Sequence, residues 1–268
     1  MPRFSTQRDF RRLHQLGFCY LCGAKLDDES NITREHVAPK CVFALDDRTP
    51  PLILPAHSAC NNNMSLLDQQ VGQMFGIMHG KQLPERHRKI DPILVEDPST
   101  GRSLGGIRGP NLNRFVFRLL QGFHVALYNE YLPEPPDTLF SISHSTPSGT
   151  FQKGQIQWDP LPEVHEAFVG VVHTNRMSDR LDSIRCYNDR CRYDCVWEKL
   201  DGGRPACIFA LDIYDLLRFG DTGITPARST VGLYAPLGGR PSSATVGTRV
   251  HLPEGILPKL NAFGSDGG

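Results

Sequence analysis

The chain has no excess of charge of either sign: Lys+Arg and Asp+Glu each number 29 in 268 residues. That excludes a uniformly basic coat of the kind that wraps nucleic acid and leaves only a local basic face. No run of eighteen apolar residues occurs, so no transmembrane helix and no membrane partner are expected. Met1 to Thr6 lacks the apolar core of a secretory leader, so a cytoplasmic protein is expected. Neither an internal repeat nor a heptad array is present, which excludes solenoids and coiled coils.

What is plentiful is turn chemistry. Gly 25 and Pro 21 together exceed average usage, so loops should be numerous. Hydrophobic residues at 39% and charged residues at 22% fit a globular chain rather than a disordered one. Three regions differ in texture. Residues 1–80 hold a Cys/His-rich segment and a helix. Residues 81–218 read as a larger domain of unassigned role. Residues 219–268 carry ten Gly and five Pro and read as a loop-like tail.

Two helices stand out. Leu67, Val71, Met74, Phe75 and Met78 recur at steps of three and four after Cys60. Leu112, Phe115, Val116, Leu119, Leu120, Phe123 and Leu127 give Asn111 to Asn129 a wide apolar face, with Arg114, Arg118 and Gln121 mainly off it. A shorter helix is expected over Gln7 to Leu16. Strands are expected at Leu139 to Ile142, Gln155 to Trp158, Ala167 to His173, Ser183 to Tyr187, Tyr193 to Trp197 and Cys207 to Ile213. Most of these runs have no long helical crossover between them. The fold class is therefore α+β with mainly antiparallel strands.

Eight cysteines occur, and their spacing matters more than their number. Cys19-Tyr-Leu-Cys22 and His57-Ser-Ala-Cys60 are two pairs with the same two-residue gap. Four ligands close a tetrahedral Zn²⁺ shell and leave no position for water, so this metal would be structural. The interval between the pairs is longer than a zinc ribbon needs. It contains Thr33-Arg34-Glu35-His36-Val37-Ala38-Pro39-Lys40, and Asn61, Asn62 and Asn63 follow Cys60. A zinc knuckle would fix the start of the helix against the Glu35-His36 strand. Mg²⁺ or Mn²⁺ would accept the oxygens of Glu35 and Asn61. A neutral His36 beside it could take a proton from water, and a helix N-terminus would favour a phosphate.

In this order C-x2-C, E-H-V-x-P-K and H-x2-C-N resemble the HNH endonucleases, the ββα-metal class. The layout is similar to the phage Holliday-junction-resolving type, and it covers about residues 15–75. The resemblance implies Glu35 and Asn61 as ligands of a catalytic divalent metal, with His36 as general base. It implies Cys19, Cys22, His57 and Cys60 as structural-zinc ligands. It also implies hydrolysis of DNA phosphodiesters to 5′-phosphate and 3′-hydroxyl ends, in phage defence or a mobile element. Departures are Glu35 for the commoner Asp, His57 for a cysteine, and Pro51-Leu52-Ile53-Leu54 where many members carry an Asn. Two alternatives stand: a non-catalytic zinc module that recognises nucleic acid or protein, and an RNA-directed nuclease.

Arg34, Lys40, Arg86, Arg88 and Lys89 are the candidate nucleic-acid contacts. The last three belong to a stretch from Lys81 to Arg118 with eight basic and four acidic residues, a net of +4. Cys186, Cys191, Cys195 and Cys207 match no common zinc spacing and read as buried thiols, with a second metal as the alternative. The C-terminal region is expected to supply specificity, or a surface for a protein partner or a second copy of the chain.

Overall fold

The computed structural model describes residues 3–78, 80–82, 84–96, 101, 103–133, 139–142, 149–152, 155–158, 162–199, 205–214, 230–236 and 238–247. A short strand β1 (Arg3–Phe4) leads into helix α1 (Gln7–Arg11), which tightens into a 3₁₀ turn over Arg12–Gln15. Next come β2 (Ile32–His36), β3 (Ile53–His57), the short α2 (Ser58–Asn62) and α3 (Ser65–Met78). A hairpin of β4 (Asp91–Glu96) and β5 (Ser103–Arg108) precedes α4 (Leu112–Tyr128). The rest of the chain supplies β6 (Leu139–Ile142), β7 (Gly149–Gln152), β8 (Gln155–Trp158), α5 (Pro162–Met177), β9 (Asp182–Cys186), β10 (Cys191–Lys199), β11 (Pro205–Ile213) and β12 (Thr230–Tyr234).

The main sheet has six strands in the order β1-β9-β10-β11-β12-β6. Only the β1–β9 pair is parallel, and the other ladders are antiparallel. The class is therefore α+β. Side-chain alternation divides the two faces of the sheet. Tyr193, Cys195, Trp197, Cys207, Phe209 and Tyr234 face α4, whereas Val196, Ile208, Ala210, Val231 and Leu233 face α5. The α4-side core does not stop at that helix. It continues into Tyr20, Val37, Leu52, Leu54, Ala56, Leu67, Val71 and Phe75 of the N-terminal segment.

Three sequence expectations change. Ala167 to His173 is helix, not strand: Phe168, Val171 and Val172 recur at helical spacing and cover the sheet. Their β-branched content imitates a strand, but one-sided burial decides the matter. Second, the stretch 219–268 is not all loop. Thr230–Tyr234 is an interior strand between β11 and β6, with Tyr234 fully buried; residues 219–229 and 248–268 lie outside the described residues. Third, Arg118 and Gln121 are buried with the apolar residues of α4. That helix is wedged between the sheet and the N-terminal segment, so its second half is covered on every side.

An asparagine closes each end of α4. Asn111 caps the start, its side chain accepting the Arg114 N–H at 3.0 Å. Asn129 stops the helix in the left-handed conformation, φ 57°. One turn after Arg118, Gly122 allows a close approach: a Cβ there would lie 2.3 Å from Val37 Cγ1. Val37 directly follows the Glu35-His36 pair, so this contact seats α4 against it.

Among the described residues, no helix is long and apolar enough to cross a membrane.

Candidate functional site

The first knuckle is made by backbone. Cys19 N–H donates to the Ala24 carbonyl, and Gly23 N–H donates to the Cys19 carbonyl, both at 2.8 Å. Gly23 has φ +74°, a conformation that disfavours other residues, and a Cβ there would lie 2.5 Å from the Tyr131 ring. The second pair comes from the end of β3 and the first turn of α2. Its register is fixed by the β2–β3 ladder, in which Ile32 faces His57 and Glu35 faces Leu54.

Cys19, Cys22, His57 and Cys60 converge, with ligand atoms within 4.8 Å of one another. Tetrahedral ligands around zinc lie about 3.8 Å apart, so the group could bind a metal ion such as zinc. Among the described residues it is the only group of three or more His, Cys, Asp or Glu side chains that converges in this way. His57 Nδ1 lies 3.4 Å from Cys22 Sγ, and its Nε2 lies 3.3 Å from the Lys25 carbonyl. A proton on Nε2 then donates to Lys25 and leaves Nδ1 to the metal, the usual orienting contact of a histidine ligand. Burial opposes ionisation of Cys22, but hydrogen bonds from the Ala24 backbone, His57, Cys19 and Cys60 pull its thiol down. Burial and the neighbouring Cys19 charge push Cys60 up to about 12. Charging all three thiols at once therefore calls for a cation among them.

Glu35 and His36 end β2. Glu35 is buried and His36 half-buried. Asn61 lies on α2, donates its amide N–H to Thr33 Oγ1 at 3.3 Å, and is near enough to Glu35 to favour its charged form. Glu35 and Asn61, named from sequence, thus lie near each other, whereas His36 is placed beside them only through its position directly after Glu35 on β2, where successive side chains alternate faces. The helix after Cys60 differs from expectation, because α2 and α3 are separate. Asn61 to Asn63 are poor helix formers and mark the break. Asn61 sits near the end of a five-residue helix, so no long-helix N-terminus points at the site.

Sequence reasoning missed two members of this cluster. Arg118 reaches in from α4, fully buried, and forms ion pairs with both Glu35 and Asp68. Its Nε donates to the Tyr20 hydroxyl at 3.3 Å, and its Nη2 donates to the His36 carbonyl at 3.2 Å. The available signal was a charge set among Phe115, Leu119 and Gly122 on the helix side that meets the core. Asp68 likewise interrupts the Leu67–Val71 stripe.

The charges shape one another. Burial raises Glu35 to about 7, against the pull of Arg118, while Asp68 adds to the rise and Asn61 opposes it. Burial also raises Asp68, and Arg118 opposes that shift. His36 is lowered to about 4, first by burial and then by Lys40, Arg118 and Arg48. Its ring is neutral at neutral pH. Burial works against the Arg118 charge, and Tyr20, Asp68 and Glu35 together hold its pKa above the ordinary value.

The expected basic contacts divide. Arg34, Lys40, Arg86, Arg88 and Lys89 are exposed. Gln70 and Gln73 fasten the segment around His87 and Lys89 to α3, including a 2.6 Å bond from the Lys89 N–H to Gln73 Oε1. Arg118, the end of the basic stretch, is enclosed and cannot meet a nucleic-acid backbone, and Arg102 lies outside the described residues. Cys186, Cys191, Cys195 and Cys207 are buried, with the Tyr128 hydroxyl 3.3 Å from Cys195 Sγ.

Comparison with protein-family models, curated proteins and solved structures finds no match to this chain.

Proposed function

We propose that the chain is a metal-dependent endonuclease of HNH type that hydrolyses DNA phosphodiester bonds. The observation that carries this reading is a Cys₃His group that joins a hairpin to a short helix, with Asn61 near Glu35 and a half-buried, neutral His36 directly after Glu35 on β2. The knuckle, filled by zinc, holds α2 against β2. Oxygen donors from Glu35 and Asn61 suit a hard cation. When bound, that cation supplies neutralising charge at the scissile phosphate.

The protein's own steps are proton and position control. An imidazole nitrogen of His36 accepts a proton from water, whose oxygen attacks phosphorus. The bond from phosphorus to the 3′-oxygen breaks, and that oxygen takes a proton from solvent, giving 5′-phosphate and 3′-hydroxyl ends. The low pKa of His36 keeps the ring able to accept the proton at neutral pH. The exposed Arg34, directly before Glu35, and Lys40, four residues after His36, are candidates to hold the backbone of the nucleic acid.

A second reading is favoured by one observation, the ion pair between Arg118 and Glu35. If Glu35 serves only to hold α4, the finger is a non-catalytic recognition module. Incubation of the protein with supercoiled plasmid, single-stranded DNA and RNA, each with Mg²⁺ or Mn²⁺, separates the readings. Nicking that His36→Ala abolishes supports the nuclease. Binding without cleavage supports the recognition module, and cleavage of RNA alone redirects the substrate.

A further inference from the structure

Arg118 lies outside the segment that carries the finger, yet its guanidinium is enclosed within it. Its side chain is fully buried, and its donors reach three elements. Tyr20 is on the first knuckle, Glu35 and His36 are on β2, and Asp68 is on α3. Two carboxylates against one guanidinium give the cluster a formal charge of −2 + 1 = −1. One arginine therefore touches the Glu35 side chain and the His36 backbone while a second acid shares its charge.

Resting on the nuclease reading above, we infer that Arg118 is a positioning residue and internal counter-cation that sets, with Asp68, how tightly Glu35 takes a divalent cation. A cation held by Glu35 shares that carboxylate with the guanidinium. Repulsion over a few ångströms in a buried cluster is poorly screened by water or salt. Removing the positive charge therefore tightens cation binding. Loss of a purely structural bond would loosen the site and weaken it, so the sign of the change separates the two roles. Asp68 acts in the opposite direction. It draws part of the Arg118 charge away from Glu35 and adds negative potential, so neutralising it leaves Glu35 more fully occupied by Arg118.

The same contacts predict a split between binding and turnover. Without Arg118, Glu35 and the His36 carbonyl lose their common anchor, and kcat falls even as the cation binds better. Lysine at 118 retains the charge but not the fork that reaches Tyr20, Asp68 and Glu35 together. It should return cation affinity toward wild type while restoring turnover only in part.

The test is calorimetric titration of Mn²⁺ into zinc-loaded full-length protein, with plasmid nicking measured in parallel. Arg118→Met is expected to bind Mn²⁺ about tenfold or more tightly than wild type, with a lower kcat. Arg118→Lys is expected near wild-type affinity, and Asp68→Asn about tenfold weaker. Zinc content and near-ultraviolet circular dichroism establish that each variant is folded. Unchanged or weaker Mn²⁺ binding in folded Arg118→Met overturns the inference. Should that variant fail to fold, Arg118→Lys and Asp68→Asn decide together: near-wild-type binding in the first with weaker binding in the second supports the inference, and weaker binding in both or unchanged binding in Asp68→Asn overturns it. A wild-type protein that takes no Mn²⁺ removes the nuclease reading and this inference with it. Wild-type binding with all variants alike removes the inference alone.

Discussion

Individual residues carry this account where one side chain has no substitute. Gly23 lies at the turn of the first knuckle with φ +74° and the Tyr131 ring against it. Gly23→Ala adds both backbone strain and an overlap, so bound zinc should fall well below one per chain by atomic absorption; full occupancy would contradict this. His124 provides a test far from the metal residues. It is 3% exposed, touches the Tyr234 hydroxyl at 3.2 Å, and burial lowers its pKa to about 3. The fold thus favours the neutral ring, whereas the unfolded chain takes up a proton near pH 6.5. The stabilisation is present above that pH and is lost as pH falls from it toward about 3. Between pH 7 and 5 the His124 contribution should shrink by about 2 kcal/mol. Guanidinium unfolding at the two pH values should show a smaller loss for His124→Gln than for wild type; equal losses would contradict it.

At the scale of elements, α4 is the piece that joins the site to the sheet. Gly122 in its middle looks like a defect, since alanine there would raise helix propensity by about 1 kcal/mol. The contact with Val37 reverses that expectation. A methyl group lying 2.3 Å from Val37 Cγ1 must push the helix off β2, a strain of about 1–3 kcal/mol. Gly122→Ala should therefore lower Tm, and Val37→Ala in the same chain should recover part of the loss. A Gly122→Ala protein of raised Tm would show that the two elements are not packed in this way. The extent of α4, from about Asn111 to Asn129, and its apolar stripe were readable from spacing. The all-round burial of its second half was not, because periodicity reports one covered face and α4 has two. In α5 the misreading came from Val171 and Val172, whose branched side chains suit a strand as well as a helix. β12 lay hidden in a Gly/Pro-rich stretch because only five residues of it pair.

For the molecule as a whole, the sequence separates an N-terminal module more sharply than the core does. Tyr20, Val37, Leu54 and Phe75 belong to the same apolar cluster as Phe123, Tyr193 and Phe209. The interval after His36 also meets the sheet end. The Tyr187 hydroxyl donates to the Ala38 carbonyl at 2.7 Å, and the Tyr187 and Asn188 N–H groups donate to the Pro50 and Thr49 carbonyls at 2.9 and 2.8 Å. Residues 1–80 expressed alone should expose that apolar surface and unfold without a cooperative thermal transition, even with zinc. A sharp transition in the fragment would contradict the shared core. The candidate site was legible as far as local spacing carries it. The two Cys/His pairs, Glu35, His36 and Asn61 lie within about 45 residues on one hairpin and one short helix, and the four Cys/His side chains converge. Arg118 comes from more than eighty residues after Glu35, by a tertiary contact that no local pattern encodes.

The proposed role of His36 is to act on water in a cation-dependent cut of DNA. Its most direct measurement is the conversion of supercoiled plasmid to nicked circles by wild type and His36→Ala side by side in Mg²⁺, with zinc content determined for both. Wild type should nick the plasmid, the variant should not, and zinc should be equal in each. Equal nicking by the two proteins, or none by a zinc-loaded, folded wild type in either Mg²⁺ or Mn²⁺, would contradict it.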